Sequence, residues 1–214
     1  FSGIIQSTGG RVSRFKVGDR VAVEPNIACD NCVNCLNNRQ NFCLNWQAVG
    51  VTLPGGMQQF VVVPEKAVFN IEDLSFERGA FVEPLSCVLH GIERVHIKPG
   101  DQIAIFGAGP IGNLLMQMAG LQGASDISVL ETNPSRAALA LELGANRVVH
   151  SLEELKVNQY DVVIDATGVL ALMNRTIDFA RSGGTVLLFG VPPKRKNLEL
   201  EAFKIFNKVL TVLS

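Results

Sequence analysis

The chain has 214 residues, 47% hydrophobic and 18% charged, so it can bury a real core and is not a disordered segment. A net charge of -1 and a pI near 6.4 leave no basic excess for nucleic acid or an anionic membrane. The length suits one large domain or two ordinary ones, and the run Lys194-Arg195-Lys196 reads as a solvated loop.

The chain opens on Phe1 with neither an initiator Met nor a signal-peptide n-region, and it stops inside the apolar run Val209–Leu213. Both ends read as cut from something longer, and the expected location is the cytoplasm. The first hundred residues have the texture of a β-rich lobe: "KVGDRVAVEP" and "GGMQQFVVVPEKAVFNI" are short strand candidates among Gly and Pro turns.

Inside that lobe lies "ACDNCVNCLNNRQNFC", which places Cys29, Cys32, Cys35 and Cys43 in C-x2-C-x2-C-x7-C spacing. Asn is the commonest residue between them, with Asp30 and Arg39 beside it, and the stretch shows no hydrophobic period. Such a loop cannot order itself by burial, whereas four thiolates suit tetrahedral zinc and close its shell, the pattern of a structural site. Three rivals stay open, of which one, a redox C-x-x-C pair, would not need four thiols. An iron–sulfur cluster shares the opening spacing, although the bacterial pattern continues with x3-C-P. Disulfides need an oxidising compartment that no signal here supports.

"FERGAFVEPLSCVLHGIERV" reads as a helix that Glu83, just before Pro84, caps. Glu83, Cys87 and His90 fall at i, i+4 and i+7, so one face carries three potential ligands. The plainer reading is a cap, a core thiol and a boundary histidine. His96 and His150 have no ligand partners nearby in sequence.

From Gln102 to Ser125 the chain carries no charge, but Gly107, Gly109, Pro110 and Gly112 interrupt it, which argues against a membrane span. Instead Ile103–Phe106 reads as a buried parallel strand, and Gly107, Gly109 and Gly112 follow in G-x-G-x-x-G spacing. The first glycine allows a tight turn, the second lets a pyrophosphate approach the backbone, and the third lets helix and strand pack closely. The helix that starts at this turn offers its free N–H groups to phosphates. Asp126–Leu130 reads as a second strand ending at Glu131, an acid placed to hold the adenosine ribose hydroxyls and so to favour NAD. Arg136, five residues on, is the group able to accommodate a 2′-phosphate instead. Asn133-Pro134 starts a helix through Leu143 that Gly144 closes. Further strands are expected at 147–149, 160–165 ("YDVVID", followed by "ATG"), 184–189 and 209–213, with a helix over 170–180. Strand–helix alternation predicts an α/β, doubly wound parallel sheet.

Together these residues resemble the medium-chain, zinc-dependent alcohol dehydrogenase superfamily, and within it the polyol branch of sorbitol, threonine and butanediol dehydrogenases. The resemblance covers essentially the whole chain, in the family's order. It implies a partial GroES-like catalytic lobe over 1–96 and a Rossmann domain over 97–214. It implies structural zinc at Cys29, Cys32, Cys35 and Cys43, and Glu83 of "FVEPLSC" facing a catalytic zinc. The NAD contacts implied are Gly107, Gly109, Pro110, Ile111 and Gly112 of "GAGPIG", Glu131, Arg136, Thr167, Gly190 and Val191. Substrates would be small alcohols or polyols, with no nucleic-acid or membrane partner, in a homodimer or homotetramer. The family's catalytic zinc also needs a cysteine and a Gly-His-Glu segment, neither of which is in this sequence. The resemblance therefore implies either a zinc- and NAD-dependent dehydrogenase seen as an inactive fragment, or a truncated module that binds zinc and dinucleotide without turnover.

Overall fold

The computed structural model describes residues 1–214, which separate into two units, Phe1–Leu85 and Ser86–Ser214. In the first, Val21, Ala22 and Val23 are buried one after another because β2 (Arg20–Val23) lies between β1 (Ser2–Ile4) and the later β5 (Val68–Asn70), antiparallel to both. Between them β3 (Asn26–Ile27) and β4 (Gln47–Ala48) form a two-stranded ribbon that holds the cysteine loop at its base. That loop contains the short helix α1 (Val33–Leu36). The strand candidate at 57–63 does not form a strand: no segment pairs with it, and Met57 and Val62 stand fully exposed at 105% and 96%. An apolar pattern without a ladder partner leaves its backbone groups to water.

The expected single helix is two, α2 (Phe76–Ala80) and α3 (Val82–Val95). Ser75 caps α2 by accepting the Arg78 N–H, so Glu83 is not the cap and falls in the first turn of α3. Pro84 explains the break, since a residue without an N–H fits the first turn of a new helix and not the interior of an old one. α3 buries Val88, Gly91, Ile92 and Val95, at i, i+3, i+4 and i+7. Cys87 precedes this stripe and is exposed, which corrects the expectation of a core thiol; His90 is exposed as well.

The second unit is built on β6 (Gln102–Phe106), β7 (Asp126–Leu130), β8 (Arg147–Val149), β9 (Tyr160–Asp165), β10 (Ala180–Leu188) and β11 (Thr211–Leu213). All pair in parallel, in the order β11-β10-β9-β6-β7-β8. Ile103, Ala104, Ile105 and Phe106 are each 0% exposed, as a strand covered on both faces requires. Ile103 and Ile105 pack with Leu115 and Met116 of α4 (Pro110–Leu121), while Ala104 and Phe106 face the opposite layer. There the Phe106 and Phe179 rings meet edge to face, 5.7 Å between centroids. Asn133 caps α5 (Pro134–Glu142) with Pro134 in its first turn, and Gly144 follows at φ +115°.

The helix expected over 170–180 splits into α6 (Leu170–Met173) and α7 (Thr176–Phe179). Thr176 turns its hydroxyl back onto the Met173 carbonyl (2.7 Å), and Ala180 already pairs with Tyr160. A bulge then separates Ala180 from the regular ladder at Thr185. α8 (Ala202–Lys208) precedes β11. No helix is long and apolar enough to cross a membrane.

Candidate functional site

The cysteine loop brings its four sulfur atoms within 4.8 Å of one another, and this is the one group of three or more metal-ligating side chains in the chain. Local hydrogen bonds achieve this without apolar burial. Asn34 Nδ2 donates to the Phe42 carbonyl (2.6 Å) and Asn37 Nδ2 to that of Val33 (2.7 Å), which folds α1 against the turn at Gln40–Phe42. Asp30 and Asn38 take left-handed backbone (φ 59° and 56°), which Asp and Asn tolerate better than most residues. Lys66 Nζ pins the rim, donating to the Ala28 carbonyl and to Asp30.

Cys35 and Cys43 are buried and Cys29 and Cys32 half-buried. The Cys29 N–H donates to Cys43 Sγ (3.2 Å) and Asn45 Nδ2 to Cys29 Sγ (3.6 Å). The Asn31 N–H, with Asn45, brings the Cys29 thiol down to about 6, and the Cys35 N–H lowers Cys32. Burial, with Cys32 beside it, pushes Cys35 up to about 12. Sulfurs that favour ionisation next to one that resists it form a set short of positive charge, which a divalent cation supplies. The donor set, its convergence on one point and the N–H···S bonds fit zinc.

In the second unit a cleft of about 440 Å³ opens at the carboxyl ends of β6, β7 and β9, lined among others by Gly107, Gly109, Glu131, Arg136, His150 and Thr167. Gly107 has φ +98°, and a Cβ there would meet the Thr167 methyl at 2.8 Å. A Cβ on Gly112 would fall 1.9 Å from the Gly107 carbonyl oxygen, whereas one on Gly109 would meet nothing within 4 Å. Gly112 thus permits packing, and Gly109 leaves its backbone open to a ligand. Pro110, exposed, is the first residue of α4; Ile111 is half-buried and packs on the core.

Glu131 is only 5% exposed and accepts three hydrogen bonds, with an ion-pair contact beside them. Oε2 takes the Ala108 N–H (3.0 Å), Oε1 takes that of Asn133 (2.8 Å), and Arg136 reaches both oxygens (3.1 Å each). Burial alone would raise its pKa; the N–H groups of Asn133 and Ala108 and the Arg136 guanidinium outweigh burial and hold it below the usual carboxylate value. His150 also lines the cleft, its Nδ1 2.8 Å from the Glu131 carbonyl oxygen. Its signal in the sequence is its place, directly after a strand, at the end where ligands bind.

Gly190 and Gly168 cross in backbone contact beside the cleft: a Cβ on Gly190 would fall 2.1 Å from the Gly168 nitrogen, and one on Gly168 (φ +68°) 2.4 Å from the Val191 oxygen. Val191 itself is exposed. Asp165, fully buried beneath this crossing, carries no motif that singles it out in the sequence. Glu83 is half-buried at the start of α3 and joins no group of three ligand-bearing side chains.

Two family models match the chain: an alcohol dehydrogenase GroES-like domain over residues 1–73 and a zinc-binding dehydrogenase over 110–214. The chain is 31% identical to D-arabinitol dehydrogenase 1 of Uromyces fabae, over 99% of its own length and 64% of the relative's. It is 32% identical to D-altritol 5-dehydrogenase of Agrobacterium fabrum, over 100% and 65%. It is 34% identical to sorbitol dehydrogenase of Bacillus subtilis, over 91% and 58%. The chain therefore spans less than two thirds of these curated relatives. Among solved structures, a Sinorhizobium meliloti protein classed with the zinc-binding dehydrogenases and bound to NADP superposes with a TM-score of 0.94 at 36% identity, covering 100% of this chain and 66% of that one.

Proposed function

Since the chain belongs to the zinc-dependent medium-chain alcohol dehydrogenase superfamily, in its sorbitol dehydrogenase-like branch, we propose that the intact protein oxidises a secondary alcohol. The substrate class is a polyol such as sorbitol, or an alcohol like threonine or butanediol, and NAD takes the hydride. The observation that carries this reading is the cleft in which the Gly107–Gly112 turn, Glu131 and Thr167 meet.

The chain's own residues bind and orient the coenzyme. The α4 N-terminus and the open backbone at Gly109 receive its pyrophosphate. Glu131 and Arg136 stand where the adenosine ribose ends, and as a bonded pair they are close to neutral. A neutral pair offers little to a 2′-phosphate, which favours NAD. Cys29, Cys32, Cys35 and Cys43 would hold a zinc that orders their loop and takes no part in the reaction, since four thiols fill its shell. A catalytic zinc supplies Lewis acidity towards an alcohol oxygen. Residues 1–214 gather no second ligand set for one; Glu83 is the one contact we assign, and no step is routed through that metal.

The missing second set also favours a narrower reading of the chain by itself, as a module that binds zinc and dinucleotide without turnover. The test is NADH formation from sorbitol, xylitol, threonine and 2,3-butanediol, by this chain and by the intact protein. Turnover by the intact protein and none by the chain is expected. Zinc-dependent turnover by the chain would overturn the role given to the missing ligands, and tighter binding of NADP than NAD would overturn that given to Glu131.

A further inference from the structure

Asp165, the last residue of β9, is 0% exposed. None of the chain's ion pairs includes it. Oδ1 accepts the Thr167 hydroxyl (2.5 Å) and Oδ2 the Gly168 N–H (2.9 Å). Its backbone carbonyl accepts the N–H groups of Phe189 (2.9 Å) and Gly190 (2.8 Å). A Cβ on Gly190 would fall 2.6 Å from Oδ2, so no side chain screens the carboxylate from the Gly168–Gly190 crossing. Two hydrogen bonds hold this buried carboxyl group and no cationic side chain of the chain pairs with it, so a bound cation is the one counter-charge left to it.

Topology points to that cation. A dinucleotide straddles the point where a doubly wound sheet reverses its strand order, here between β6 and β9. With the adenosine half over β7 at Glu131, the nicotinamide half falls on the side of β9 and β10, where Asp165 lies. The oxidised nicotinamide ring is a cation and the reduced ring is neutral. We propose that Asp165 is the buried counter-charge to the oxidised ring, biasing the site towards NAD+ over NADH. The inference rests on the coenzyme reading above and adds a residue that this reading leaves without a role.

Calorimetric titration of the full chain with NAD+ and with NADH, one at a time, tests it. Asp165→Asn preserves the shape, because its Oδ1 can accept the Gly168 N–H while its amide donates to Thr167 Oγ1. The ratio Kd(NAD+)/Kd(NADH) is expected to rise about 3- to 30-fold for a unit charge lost at partly screened range. Each tenfold change raises the potential of the bound couple by about 30 mV. A merely structural role would weaken both forms alike, and an unchanged ratio overturns the proposal. If Asp165→Asn does not fold, Thr167→Val tests it from the other side. Losing the hydroxyl that partly screens the carboxylate should lower the ratio, and a ratio that holds or rises overturns the proposal. Failure of the unaltered chain to bind either form strikes down the coenzyme reading itself, and the proposal with it.

Discussion

The loop at 28–43 and the strands β6 to β9 are both tightly specified, yet they draw order from different sources. The loop leaves Val33, Leu36 and Phe42 between 61% and 72% exposed and turns inward little but Cys35 and Cys43. The central strand β6 buries four consecutive side chains completely. One region is a polar net drawn around a point, the other a slab of hydrocarbon between two layers of helix. In the first, order depends on what the sulfurs hold; in the second, it depends on area removed from water.

If that contrast is right, the two regions fail separately. The largest effect is expected from chelation or from Cys43→Ser. Structural zinc is worth about 10–16 kcal/mol in zinc-finger peptides, and most of that would be withdrawn from this loop. Amide exchange over 28–43 should accelerate by orders of magnitude while β6 and β9 stay protected; equal acceleration in both would erase the distinction. Next in size is Phe106→Ala, which empties the space against Phe179 and should cost about 3–5 kcal/mol. The sheet should melt earlier, and metal analysis should still find about one zinc per chain, because no hydrocarbon core holds the loop. Loss of zinc together with the sheet would refute it.

The smallest effect is electrostatic and belongs to the sheet alone. Glu131 has a folded-state pKa below its unfolded value. Its contribution is therefore complete above the unfolded pKa of about 4.3 and is lost as pH falls through the lowered folded value. Glu131→Gln should flatten the acid side of the stability curve below about pH 5 and leave neutral pH behaviour of the cysteine loop untouched. Acid melts of the two proteins that run parallel would remove Glu131 as a source of the dependence.

Much of this was legible in the chain alone, for reasons that differ by residue. The cysteine spacing is itself ligand geometry, so it needs no knowledge of the fold. The run at Ile103–Phe106 is apolar on both faces and bounded by turns, a signature that tertiary context does not change. What stayed hidden depended on neighbours distant in sequence. Periodicity defines the faces of α3 but not which one the core covers, and Cys87 lies on the uncovered side. The Phe- and Val-rich run at 60–63 looks like a strand, and only the absence of a pairing segment says otherwise. The break between α6 and α7 rests on one hydroxyl and on the early pairing of Ala180 with Tyr160. Asp165 carries no signal of its own in the sequence, because its partners are assembled by two separate turns.

The crossing of Gly168 and Gly190 has a consequence for how this sequence can change. The two turns arise from different strands, yet each occupies the volume that a side chain on the other would need. Neither position can be altered alone without parting the turns, and parting them relieves only the contact they share: Gly168 keeps its positive φ, and Gly190 keeps its closeness to Asp165. Their costs are non-additive in the contact they share, so a mutational route through either glycine begins with its steepest step. Viewed this way, the pair behaves as a single hereditary unit spread over two places in the chain.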